Sequence, residues 1–175
     1  CAALFIGVGL IATAAAQECP RGQLDKAYCD ANADLVADTP TDASKLVNPS
    51  TLVFAYTPVE DPALYTKVWD GFLKHLEKVT GKKVVFFPVQ SNAAEIETMR
   101  SGRLHIAGVS TGPTPIAVNC AGYVPFAIMG TNEGKFGYEM ELIVPADSSI
   151  KTPADLKGKK LAFTSPSSNS GFKAP

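Results

Sequence analysis

Four short stretches of this chain bring hydroxyls, amides and glycines together at spacings suited to holding an oxyanion. The densest is Ser165-Pro166-Ser167-Ser168-Asn169-Ser170-Gly171, which follows the β-prone run Lys160-Leu161-Ala162-Phe163. Such a cluster after a strand reads as a loop opening a helix, with Ser168, Asn169 and Ser170 as capping or anion-holding groups. A helix start presents unpaired N–H groups and a partial positive charge, so an anion is at home there. Taken alone, the cluster reads better as an ordinary capped helix start with no ligand, since most capped helices bind nothing. The other three stretches are Tyr56-Thr57, Ser91-Asn92 and Ser110-Thr111-Gly112, each directly after an apolar run.

The elements that must position these groups follow from periodicity. Thr51 to Tyr56 has a buried-strand pattern. Asp61 then caps a helix with Pro62 in its first turn, and Leu64, Tyr65, Val68, Trp69, Phe72, Leu73, Leu76 and Val79 share one apolar face. Gly81 stands at its expected end. Trp69 is expected to face the core and His75 the surface. A second strand covers 84–87, and Asn92 with Glu95 predicts a capping-box helix start. Strand three spans 104–109, a helix Thr114 to Ala121, and further strands 124–129, 138–144 and 159–163, with a capped helical turn at 152–156. Alternating strands and helices predict an α/β fold with a mostly parallel sheet and flanking helices. In such sheets ligands bind beyond the carboxyl ends of the strands, where the three polar exits should collect.

Composition bounds the function. The chain has 175 residues, 46% hydrophobic and 19% charged, with net charge −1. That describes a globular protein and gives no support for nucleic acid binding, which usually shows a basic patch. Residues 1–16 read as the remnant of a secretory signal, an apolar run ending in small residues, with cleavage after Ala16. Acylation at Cys1 is the weaker reading. Export to an oxidising compartment leaves Cys19 and Cys29 as a disulfide pair within an N-terminal extension, residues 17–50. Cys120, in an apolar context, is expected to be buried. Asp30, Asn32, Asp34 and Asp38 alternate as in a calcium loop, but Leu35 and Thr41 replace the Gly and Glu such a loop needs, so a plain acidic loop is favoured and no metal is assigned. Residues 51–138 are expected to form one lobe, and 139–175 a crossover into a second lobe expected to be largely missing.

The order of features resembles the phosphate/phosphite/phosphonate-binding proteins of bacterial ABC importers (PhnD-like), a branch of the type II periplasmic binding proteins. The resemblance rests on residues 93–108, Ser110-Thr111-Gly112-Pro113, the segments 142–150 and 154–160, and the terminal run from Ser165. It implies a two-lobe receptor in the periplasm or otherwise outside the cytoplasm, without catalysis or cofactor. Such a receptor closes on a small phosphorus oxyanion and docks on an inner-membrane ABC permease. By that resemblance the ligand is held by Ser168, Asn169 and Ser170, with Tyr56, Ser110 and Thr111 opposite. Hydroxyls and N–H donors can do this without a buried cation, in keeping with the balanced charge.

Three alternatives stand beside this reading. A sensory binding protein would report ligand to a two-component kinase, and a related receptor could take a sulfonate or a thiamine precursor. An exported hydrolase would need a base near its nucleophile, and the two histidines, His75 and His105, lie in a helix and mid-strand with no catalytic motif around them.

Overall fold

The computed structural model describes residues 19–58 and 67–175. Its centre is a three-stranded parallel sheet of β1 (Thr51–Tyr56), β2 (Lys83–Phe86) and β3 (Ile106–Gly108), in the order β2-β1-β3. Thr51 pairs with Lys83 through to Phe54 with Phe86, while Phe54 to Tyr56 pair with Ile106 to Gly108. Because β1 is central, it is apolar almost throughout, as expected of a strand covered on both faces. Parallel strands end at a common edge, so the segments after Tyr56, Phe86 and Gly108 all leave from one side.

Three helices flank the sheet: α1 (Asp70–Thr80), α2 (Asn92–Arg100) and α3 (Thr114–Ala121). Gly81 ends α1 and Gly122 ends α3 in the left-handed conformation, at φ 66° and 63°, where a Cβ would be strained. The predicted cap Asp61 and the apolar residues Leu64 and Tyr65 lie outside the described residues. α1 begins at Asp70 after Trp69, without a side-chain cap. Its apolar face packs edge-on against the sheet: Phe54 meets Trp69 at 5.0 Å and Phe72 at 5.2 Å between ring centroids. His75 is exposed, as expected. Small residues let α2 and α3 approach the sheet closely. Ala55 and Ala117 are fully buried, with Val89, Leu104, Ile96 and Ala121 around them and Met99, Val109 and Tyr123 shared between the two clusters.

The N-terminal extension is clipped by the Cys19–Cys29 disulfide, with Cα atoms 5.6 Å apart. It is tied to α3 by Asp25 N–H donating to Asn119 O at 2.7 Å. The Asp30 carboxylate accepts from the amides of Asp34 and Leu35, and Asp38 from Ala31, so these acidic oxygens serve the loop's own backbone. Cys120 is exposed, contrary to expectation, because α3 turns Ala117, Val118 and Ala121 inward. Opening the disulfide with Cys19→Ser and Cys29→Ser is expected to cost about 2–3 kcal/mol through restored chain entropy. Urea midpoints of the pair variant and wild type measure this; equal midpoints would contradict it.

The strands predicted at 124–129, 138–144 and 159–163 do not form. These stretches carry β-prone residues but no ladder partners, and Phe126, Ile128 and Ile143 are largely exposed. Propensity alone cannot make a strand without a neighbour. Regular structure beyond Ala121 is limited to a 3-10 turn at Pro153–Leu156, closed by a Thr152/Asp155 capping box, and a π turn at Asn169–Lys173. No described helix is long and apolar enough to cross a membrane.

Candidate functional site

The common carboxyl edge of the sheet gathers the polar exits. The Thr57 hydroxyl donates to Asn92 Oδ1, with Ser110 Oγ 3.5 Å away. Asn92 Nδ2 in turn donates to Ser167 Oγ at 2.8 Å, and Ser165 Oγ and Ser167 Oγ lie 3.0 Å apart. One connected set of hydroxyls and an amide therefore joins residues from β1, α2, the loop after β3 and the Ser-rich run. Thr57 is buried, and Asn92, Ser110 and Ser167 are partly so. Bonds between neutral donors at such an edge gain strength from exclusion of water.

Two backbone features bring the Ser-rich run to the sheet. A Cβ at Gly112 would fall on Ser167 O and lie 2.7 Å from Asn169 N. Only glycine permits that approach. Lys173 Nζ then donates to Gly112 O at 3.1 Å, pinning the end of the run to the same loop. At the other side of the edge the Tyr56 ring packs on Trp69 at 4.7 Å and over Gly108, where a Cβ would stand 2.8 Å from Tyr56 Cε2.

The six residues singled out from sequence are placed unequally. Ser110 joins the network, Thr111 is exposed beside it, and Tyr56 flanks it. Ser168 Oγ accepts from Gly171 N at 3.0 Å and so caps the turn, leaving its O–H to donate. Ser170 Oγ lies 3.2 Å from Tyr138 Oη, which donates to it. Asn169 is exposed, with its amide against Gly112. The helix expected from the Ser-rich run is a five-residue π turn, so the run presents hydroxyls and amides rather than a helix macrodipole. Sequence reasoning placed Thr57 and Asn92 at strand exits but did not rank them as ligands, and it passed over Ser167 and Tyr138. Thr57, Asn92 and Ser167 could be found from position after a strand or inside the hydroxyl run; Tyr138 carries no such signal.

The cap of α2 is Ser91, not Asn92: its Oγ accepts from Ala94 N at 3.1 Å. The shift of one residue frees Asn92 for the network and turns Glu95 inward. Glu95 is 1% exposed, and neither carboxylate oxygen has a hydrogen-bond partner among the described residues. Burial pushes its carboxyl up to about 8, since desolvation disfavours the charged form. His105, by contrast, is tied into the sheet, its Nδ1 accepting from Val53 N at 3.0 Å. Among the described residues no group of His, Cys, Asp or Glu is arranged to hold a metal ion.

The family profile described as "ABC transporter, phosphonate, periplasmic substrate-binding protein" matches residues 54–175. The chain belongs to that family. It is a family of transport receptors found in the periplasm, not of enzymes. The chain is 32% identical over 142 residues to the phosphate-import protein PhnD of Mycolicibacterium smegmatis, covering 79% of this chain and 44% of that one. It is 35% identical over 111 residues to the phosphonates-binding periplasmic protein of Escherichia coli, covering 61% and 33%. A crystal structure of the binding-protein component of an ABC phosphonate transporter from Pseudomonas aeruginosa superposes with TM-score 0.64 at 28% identity, over 70% of this chain and 42% of that one. The α/β architecture is thus that of a periplasmic binding protein. The chain spans less than half the length of the curated relatives it matches.

Proposed function

We propose that this chain captures a phosphorus oxyanion (phosphate, phosphite or a phosphonate) outside the cytoplasm and delivers it to an ABC permease in the inner membrane. The observation that carries the reading is the Thr57–Asn92–Ser167 chain of hydrogen bonds at the sheet's carboxyl edge, with Ser110 beside it. Such a cluster offers an oxyanion several neutral donors, with the Lys173 ammonium held at Gly112 O on the same loop, a setting suited to a fully or partly ionised phosphorus group. Ser168, Asn169 and Ser170 supply the grip from the Ser-rich run, and Tyr56, Ser110 and Thr111 face them, with Thr57 and Asn92 behind. The protein transfers ligand without chemical change. Its entry to the periplasm is by a cleaved leader within residues 1–16.

A thermal-shift series with phosphate, phosphite, methylphosphonate, 2-aminoethylphosphonate and sulfate tests this. At ligand a hundredfold above Kd, linkage gives about 2.7 kcal/mol of stabilisation. Ser168→Ala combined with Ser170→Ala is expected to remove that gain, while the apo protein loses about 1 kcal/mol from the missing cap. Retention of the full ligand shift by the double variant would show that the grip lies elsewhere. No shift with any phosphorus oxyanion would sink the reading altogether.

A further inference from the structure

We propose that Glu95 is held as a neutral carboxylic acid beneath the oxyanion seat, and that its ionisation is a proton-linked brake on anion capture. The inference rests on the oxyanion reading given above. Glu95 lies in the first turn of α2, three residues after Asn92, and side chains at that spacing are neighbours on a helix face. Asn92 is the residue that joins Thr57 to Ser167 at the site. The Glu95 side chain is among the largest fully buried ones, with Pro113 at the start of α3 the other. Neither oxygen has a hydrogen-bond partner among the described residues. An unpartnered carboxyl in that setting keeps its proton.

Burial alone raises the Glu95 carboxyl; the charges on the segments packed nearby are Lys173, whose Nζ is held by Gly112 O, and Asp25, 3.8 Å from Arg100. α3 (Thr114–Ala121) carries no Asp, Glu, Lys, Arg or His. Strands β1 and β3 contribute Tyr56 alone, and Lys83 of β2 is exposed at the far, amino end of the sheet. On α2 itself Glu97 and Arg100 are exposed, 3.7 Å apart. The titratable group that senses Glu95 is Tyr123, whose hydroxyl donates to Ala107 O at 3.2 Å. Tyr123 is pushed up mainly by its own burial, and a charged Glu95 raises it further.

An anion seated against Asn92 meets either a neutral acid or a negative charge one helical turn below. Through a partly shielded interior that difference corresponds to roughly a tenfold loss of affinity. Phosphate binding to wild type and to Glu95→Gln, measured by calorimetry at pH 6 and pH 9 where both remain folded, tests the brake. Ligand ionisation is common to both proteins, so the ratio of their Kd values isolates Glu95. Wild type is expected to lose about tenfold more affinity than Glu95→Gln between the two pH values. Equal losses overturn the proposal. The carboxyl band of wild type in isotope-edited infrared difference spectra reports the proton directly: loss of a protonated band between pH 7 and 9 supports the proposal, and titration in the ordinary carboxylate range overturns it even if binding behaves as expected. Absence of phosphate binding by both proteins at pH 6, with the band titrating as expected, overturns the brake by removing the oxyanion site while leaving Glu95's proton in place.

Discussion

Raising the pH from 5 to 9 is expected to cost the folded protein roughly 3–5 kcal/mol, and Glu95→Gln to remove most of that loss. The sign follows from proton counting. In the unfolded chain the Glu95 carboxyl ionises at its ordinary value of 4.5, and in the folded protein only at about 8. Between those values the folded state holds one proton more, so stability falls as pH rises, by about 1.4 kcal/mol per unit. Below pH 4.5 both states are protonated and the effect vanishes; above 8 the loss is complete. The other shifted acids act elsewhere. Asp42, Glu133 and Asp155 are held below their ordinary values by hydrogen bonds from nearby hydroxyls and backbone amides, so what they contribute is lost only as pH falls through the acid range. Tyr28 and Tyr123 are pushed further up from 10, mainly by burial. Among the described residues the shift that falls in the window from 5 to 9 is that of Glu95. Urea denaturation of wild type and Glu95→Gln at pH 5, 7 and 9 measures it. A wild-type midpoint that does not move across this range would mean that Glu95 is solvated or paired in solution.

Gly112→Ala should be the most damaging single methyl at the site. The added Cβ would sit on Ser167 O, 2.7 Å from Asn169 N and 3.1 Å from the Ser168 carbonyl carbon. All three are backbone atoms, which cannot swing aside as a side chain can. Relief requires lifting the Ser-rich run off the loop after β3, and that breaks both the Asn92–Ser167 bond and the Lys173–Gly112 bond. Overpacking and two lost hydrogen bonds together amount to roughly 2–4 kcal/mol of site formation. Since this opposes ligand binding more than it opposes the sheet, the expected result is loss of the phosphate-induced thermal shift with a smaller drop in apo Tm. Gly71→Ala is the control: it lies inside α1 with open space at its Cβ, and alanine there should be neutral or slightly stabilising. A Gly112→Ala protein with the full ligand shift would show that the Ser-rich run does not need this seat.

Much of the sheet unit was legible in the order of residues. The apolar run of β1, the left-handed glycine after α1 and the span of α3 follow from burial pattern and cap chemistry, which act within a turn or two of the chain. The gathering of Thr57, Asn92 and Ser110 was legible too, because strands linked by helices run parallel and must end on one edge. The later strands were misread for the complementary reason. Residues 124–129, 138–144 and 159–163 have strand-like composition, yet a strand exists only against a neighbour, and composition does not say whether one is present.

The site shows the same division. Hydroxyls after strands marked where an oxyanion could be held. That Ser167, more than Ser168, reaches Asn92, and that Ser168 is occupied as a cap, came only from the packing of the Ser-rich run against the sheet's carboxyl edge. Glu95 is the sharpest case. In sequence it was half of a capping box; in the fold, moving the cap by one residue to Ser91 rotates it into the interior. By itself the sequence determined a parallel α/β sheet with polar exits on one edge, because periodicity and turn chemistry are local. Only tertiary structure decided which hydroxyls meet and which carboxyl is cut off from water, because contact across 35 to 75 residues and loss of solvent are properties of the packed chain.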